Sequence, residues 1–233
     1  MPTSSVHTRE ITVSELTFEC DVAGSDAGQL VLCLHGFPQT SHSYRDLLPA
    51  LAEVGFLALA PNQRGYSPGA RPRDLLAYTP SKLVGDALAL ADHFEAQRFH
   101  LVGHDWGGQI AWMLAARHPE RLRSLSVLSR PHPAAFADAL REDTEQATRS
   151  KHHQAFQDPD MARQLLADDA ARLRGMLSRQ HVPAPDVEAY LSRLRDPGTM
   201  DAALHWYRAA ISGQEPLARS DFPNIHVPTL YIW

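Results

Sequence analysis

Arg98-Phe99-His100-Leu101-Val102-Gly103-His104-Asp105-Trp106-Gly107-Gly108-Gln109 is the stretch that decides the fold. An apolar strand runs without a linker into a small-x-polar-x-small turn, and a helical pattern through Ile110, Trp112 and Leu114 follows. Glycines at 103 and 107 suit a bend so tight that a side chain at either place would clash. Between them Asp105 sits at the start of a helix, where the positive end of the helix dipole favours an ionised carboxylate. Such a carboxylate attacks a saturated carbon with no base to deprotonate it, so the pattern points to displacement through an alkyl-enzyme ester. The competing reading is an ordinary turn in which Asp105 is only a helix N-cap.

Upstream, the apolar run Leu30 to Leu34 ends directly in His35-Gly36-Phe37-Pro38-Gln39. In a strand-nucleophile-helix arrangement the loop after that strand supplies one backbone N–H to an oxyanion hole, and the residue after the nucleophile supplies the other. Phe37 and Trp106 are assigned these positions. His35, Gly36 and Pro38 shape the first loop, and Gly103, His104 and Gly107 shape the bend around Asp105. The run Phe56 to Ala60 leads into a third loop, Pro61-Asn62-Gln63-Arg64-Gly65-Tyr66-Ser67-Pro68-Gly69-Ala70-Arg71-Pro72. Each loop alone is plain turn chemistry, but their order at the ends of successive parallel strands argues for one shared site.

Residues 16 to 22 alternate, with Leu16, Phe18, Cys20 and Val22 apolar, as in a half-buried antiparallel strand. Later strands, including Leu125 to Leu128 and Thr229 to Trp233, are continuous apolar runs, as expected when helices cover both sheet faces. Residues 80 to 96 read as a helix with Leu83, Val84, Ala87, Leu88, Ala91 and Phe94 on one face, Thr79 at its N-cap and Pro80 in its first turn. Between Ser129 and Val227 no strand pattern occurs. Met161 to Leu177, Asp186 to Leu194 and Met200 to Ile211 look helical, punctuated by prolines. The chain is therefore expected to be α/β, a mostly parallel doubly wound sheet with a helical cap inserted over one edge. Residues 1–130 form the first part of the core, 131–225 the cap, and 226–233 a returning core strand.

The 233 residues are 44% hydrophobic, which suits one globular domain burying roughly 70% of its unfolded surface. A formal charge of -5, from 27 acidic against 22 basic residues without a basic run, argues against a nucleic-acid partner. Cys20 and Cys33 are not in a CxxC spacing and lie in apolar stretches, as buried thiols in a reducing compartment do. The N-terminus lacks an apolar signal core, and no stretch approaches bilayer-spanning length. A cytoplasmic protein is expected, with no membrane partner, no metal and no cofactor.

Together HGFPQ, QRGYSPGARP and GHDWGG resemble the epoxide hydrolase branch of the α/β-hydrolase superfamily, a likeness running from about residue 15 to the last residue. That superfamily also contains haloalkane and haloacetate dehalogenases. The resemblance implies a small apolar epoxide as substrate and Asp105 as nucleophile. It further implies cap tyrosines that protonate the departing oxygen, and a histidine-acid pair that activates water against the ester. Ala203-Leu204-His205-Trp206-Tyr207-Arg208 is similar to the segment bearing one cap tyrosine, which makes Tyr207 the proton donor. The other tyrosine precedes a Phe-Gln pair; here His152 takes its place ahead of Phe156-Gln157, with Tyr190 a lesser candidate more suited to packing. Asn62 replaces an aspartate frequent in the family, a change expected to be neutral. In the family a strand like Val227 to Trp233 precedes the loops bearing the acid and the histidine, so a C-terminally truncated chain with an impaired hydrolytic half-reaction is expected. The alternatives are a haloalkane dehalogenase and, from another class, a non-hydrolytic ligand-binding domain or inactive fragment. The haloacetate type is disfavoured, because no arginine follows Asp105.

Overall fold

The computed structural model describes residues 5–212, 222 and 224–233. Strands β1 (His7–Val13) and β2 (Leu16–Ala23) form an antiparallel hairpin. They are followed by β3 (Gln29–Leu34), α1 (Leu47–Glu53), β4 (Phe56–Pro61), α2 (Pro80–His93), β5 (Phe99–His104), α3 (Trp106–Arg117) and β6 (Leu122–Leu128). The sheet closes with β7 (Thr229–Ile232) and has the order β1-β2-β4-β3-β5-β6-β7, parallel from β4 to β7. Between β6 and β7 lie the helices α4 (Pro133–Glu142), α5 (Thr144–Arg149), α6 (His152–Ala155), α7 (Met161–Arg179), α8 (Ala184–Leu194) and α9 (Thr199–Ile211).

Strands β3 and β4 are buried almost throughout, because they occupy the middle of the sheet with α1 on one face and α2 and α3 on the other. The larger core joins the α2 and α3 face to helices α7, α8 and α9, while a smaller one gathers Val31, Cys33, Leu48, Ala52, Ala58 and Ala60 beneath α1. Strand β5 departs from the expected continuous burial. Its residues alternate buried and half-buried, since the α1 core reaches it only at Val102. Strand β7 is exposed along its length, with Leu230, Tyr231, Ile232 and Trp233 open to solvent. Its outer edge has no strand partner among the described residues, and an open apolar edge is a template for pairing with another chain.

Helix α2 starts at Pro80 as expected, but Thr79 makes no side-chain cap and the helix ends at His93. Helix α7 is broken inside: Ala167 is extended, and Asp168, Asp169 and Ala170 all have positive φ. Arg174 and Arg195 both bind Asp169, tying this break to its surroundings. Both thiols are free and buried, and burial pushes their ionisation far above the ordinary range. Among the described residues, no helix is long and apolar enough to cross a membrane.

Candidate active site

Asp105 stands between β5 and α3 with φ 50° and ψ −113°, a backbone conformation outside the allowed wells for a non-glycine residue. Its side chain does not cap α3. Instead Oδ1 accepts a hydrogen bond from the Phe37 N–H at 3.0 Å. The bend is held by the ends of two strands and by its own helix: Asp105 N–H donates to Leu128 O at 3.3 Å, Gly107 N–H to His35 O at 3.1 Å, and Gln109 N–H to Asp105 O at 2.9 Å. A Cβ on Gly107 would lie 1.9 Å from Leu34 O, and one on Gly36 would lie 2.4 Å from the Asp105 Cβ. Neither approach leaves room for a side chain, so these glycines are what allow the two loops to meet. Gly103 is similarly pinned against the Gly107 carbonyl. The Phe37–Pro38 peptide is cis, and Pro38 is buried beside it.

His35 is fully buried, and both of its ring nitrogens are engaged within the loops. Its Nε2 accepts from Gln63 N–H at 3.2 Å, which leaves the proton on Nδ1 facing Gly36 O at 2.9 Å. Gln63 returns a bond from Nε2 to His35 O at 2.7 Å. Burial, opposed by the Gly36 carbonyl and aided by His104, brings the His35 pKa down to about 4. An unfolded chain takes up this proton near pH 6.5, whereas the folded one resists until about pH 4. The associated stability is therefore complete above pH 6.5 and is lost as the pH falls toward 4, by roughly 3 kcal/mol. Urea midpoints measured between pH 7.5 and 4.5 should fall more steeply for the native protein than for His35→Gln. His104, at the end of β5, is likewise shifted down by burial, against the pull of Asp105.

The helices between β6 and β7 bring aromatic rings against the loops that hold Asp105. Tyr207, on α9, is 4% exposed and packs edge-on against Trp106 at 5.0 Å, Phe156 at 4.8 Å and Phe37 at 5.6 Å between ring centroids. Burial first, then the Asp105 carboxylate, raises the Tyr207 phenol well above 10, with the facing Trp106 indole N–H opposing. Neighbouring Trp206 is fully buried and donates its indole N–H to Arg64 O at 2.9 Å. A buried aromatic of this kind covers 150–250 Å², on the order of 4–6 kcal/mol before entropy, and so anchors α9 to the sheet loops.

His152 is exposed, with Nδ1 3.0 Å from Arg149 O and its ring 6.1 Å from Tyr207. The next residue, His153, lines the cavity instead, 5.4 Å from the Tyr207 ring. Helix α6 is a single turn, and a shift of one position rotates a side chain by about 100°, so spacing from Phe156 alone could not tell the two apart. Burial, His152 and Arg130 bring the His153 pKa down to about 4, with Asp105 opposing. Tyr190 lies elsewhere, against His42 at 5.9 Å, where Asp186 binds both His42 at 3.0 Å and Arg45 at 2.8 Å. Asn62 joins two loops, its Oδ1 accepting from Ser41 N–H at 3.1 Å.

The cavity measures about 620 Å³ and is mostly apolar, lined by Trp106, Pro133, Phe136, Leu140, Tyr207 and Ile211 among others. Asp105 is not itself among the lining residues, but Trp106 follows it directly and both Tyr207 and Arg130 of the lining feel its charge. Arg130, which follows β6, also reaches the cavity and was not singled out in the sequence. The available signal was a cation immediately after a core strand, in Leu128-Ser129-Arg130-Pro131. Among the described residues, no group of three or more His, Cys, Asp or Glu side chains is placed to hold a metal ion.

Residues 29–233 match the family model described as alpha/beta hydrolase fold. The chain is 31% identical to the AB hydrolase superfamily protein YfhM of Bacillus subtilis, over 96% of this chain and 79% of that protein. It is 32% identical to Epoxide hydrolase A of Mycobacterium tuberculosis, over 90% of this chain and 76% of that one. Among solved structures, the epoxide hydrolase of Bacillus megaterium in complex with an inhibitor superposes with a TM-score of 0.84 at 27% identity, covering 97% of this chain and 82% of its own.

Proposed function

Since the chain belongs to the α/β-hydrolase fold family and is epoxide-hydrolase-like within it, we propose that it opens epoxides by direct attack of Asp105. The observation that carries this reading is the strained Asp105 carboxylate, held by the Phe37 N–H through Oδ1 and electrostatically coupled to a buried, protonated Tyr207. With Oδ1 so held, Oδ2 attacks a ring carbon, the C–O bond breaks, and its electron pair passes to the epoxide oxygen. That oxygen takes a proton from the Tyr207 phenol, leaving a hydroxyalkyl ester on Asp105. His153, neutral above about pH 4, offers an N–H to the same oxygen in place of a second phenol. Water attack on the ester carbon then gives a vicinal diol, with the Phe37 and Trp106 amides bound to the tetrahedral oxyanion.

The ester-cleaving step calls for an activated water. His35 has both ring nitrogens engaged in the loop. Histidine-carboxylate pairs among the described residues include His42–Asp186, which joins α8 to the loop after β3, and His118–Glu120, beyond the far end of α3. Neither adjoins Asp105; whether the adduct mass persists or decays once excess epoxide is removed reads the second step.

Tyr207→Phe removes the proton donor while keeping the ring packing. Ester formation from styrene oxide should slow by roughly 10²-fold or more, whereas the melting temperature holds. A rate within twofold of the native protein would remove Tyr207 from the reaction. A chloroalkane run beside the epoxide separates leaving groups: halide release without epoxide consumption would replace this reading with a dehalogenase.

A further inference from the structure

Arg130 introduces a cation into a cavity that is otherwise mostly apolar. Its Nε and Nη2 donate to Gln109 Oε1 at 3.2 and 2.7 Å, and its guanidinium lies 4.4 Å from the centre of the Phe136 ring. Gln109 is itself buried on α3, one turn beyond Asp105, and the Trp112 indole fixes the Arg130 carbonyl at 2.9 Å. The guanidinium is thus clamped on one side and one face, while Nη1 has no hydrogen-bond partner among the described residues. Burial works against its charge, and the nearby Asp105 carboxylate favours it.

Among the described residues, the other charged groups on the cavity wall do not neutralise this cation. Asp138 is bonded to Arg141, so these two offset one another, and His153 is neutral at ordinary pH. A cation whose nearby carboxylate, Asp105, is already held by the Phe37 N–H is costly to keep buried. That cost is sustained where a ligand supplies the missing anion, and a guanidinium fork suits a carboxylate best. An incoming carboxylate would be repelled by Asp105 unless a cation stood beside both. Arg130 stands in that position.

Resting on the reading of Asp105 as the attacking group, we infer that the substrates of this site carry a carboxylate, bound by Arg130 against Gln109 and Phe136, with the reacting carbon directed at Asp105. Arg130 is then a specificity residue, supplied from the end of β6 rather than from the position after the nucleophile.

The test compares 3-phenylglycidate with its carboxamide, a pair of equal size that differs in charge, by the second-order rate of ester formation on Asp105 read as mass gain. The acid should react at least 30-fold faster than the amide, and Arg130→Met should reduce that preference to threefold or less, with Arg130→Lys in between. Calorimetric titration with phenylacetate and phenylacetamide gives a reading that needs no chemistry: the acid should bind at least tenfold more tightly, a difference abolished in Arg130→Met. If Arg130→Met does not fold, the native acid-to-amide ratios and Arg130→Lys decide alone. Equal rates for acid and amide, or a preference that survives in Arg130→Met, overturn the anion site and leave epoxide opening intact. Phenylacetate binding that depends on Arg130, with neither epoxide labelling the protein, upholds the anion site and removes the epoxide reading. Halide release from a chlorocarboxylate alone also upholds the site and reassigns the leaving group.

Discussion

Asp105→Asn should lower the rate of epoxide consumption by roughly 10⁴-fold or more, the scale seen when a covalent nucleophile is removed. The amide oxygen of asparagine can still accept the Phe37 N–H bond that Oδ1 accepts at 3.0 Å, so the loop around Gly36 keeps its geometry. What is lost is the carboxylate oxygen that attacks carbon in the proposed reaction. The strain at φ 50° remains, because asparagine visits positive φ about as readily as aspartate. The melting temperature should accordingly stay within a few degrees of the native protein's. Epoxide consumption by Asp105→Asn at more than a hundredth of the native rate would show that another group, or a water molecule, opens the ring.

The second large effect concerns stability. Arg64, in the loop after β4, donates from Nε to Asp86 Oδ2 at 2.7 Å and from Nη2 to Asp86 Oδ1 at 2.5 Å, with a further bond from Nη1 to Ala77 O at 3.0 Å. Both side chains are about nine-tenths buried, and the Arg64 carbonyl receives the Trp206 indole. The pair therefore links α2, the loop after β4 and the cap helix α9. Asp86→Ala leaves the guanidinium buried without its anion and should destabilise the protein by about 3–5 kcal/mol, a fall in melting temperature of roughly 10 °C for a chain of this size. The double replacement Arg64→Met/Asp86→Leu should recover most of that loss, because two apolar groups need no counter-charge. A double variant as unstable as Asp86→Ala would mean that the Arg64 side-chain bond to the Ala77 carbonyl, rather than charge pairing, holds the loop.

The parts legible in the sequence are those governed by short-range sterics. Gly103, Asp105 and Gly107 announced the bend because only glycine tolerates the approach of Leu34 O and the α3 backbone, and that constraint acts over a handful of residues. The stretches 161–177, 186–194 and 200–211, read as helical, fall within α7, α8 and α9. Strand β1 carries no clear mark of its own: His7, Arg9 and Glu10 in His7–Val13 dilute the alternation, and its place comes from pairing with β2. The break in α7 was equally hidden, since Asp168, Asp169 and Ala170 carry no glycine or proline to mark a positive φ.

At the site, His152 and His153 share a motif spacing but face different ways around one helical turn, and only the packing of α6 against Tyr207 separates them. Arg130 meets Gln109 across the gap between β6 and α3, and Arg64 meets Asp86 between a loop and α2. Pairings of that kind depend on how elements stack, which no local pattern encodes.

The central claim is most directly tested by locating the covalent bond. After incubation with styrene oxide, acid quenching and proteolysis, the peptide spanning Gly103 to Gly107 should carry the mass of one epoxide as a hydroxylamine-labile ester on Asp105, and no other carboxylate should be labelled. An unmodified Asp105 beside epoxide consumed in solution, or a label on a different residue, would contradict the account.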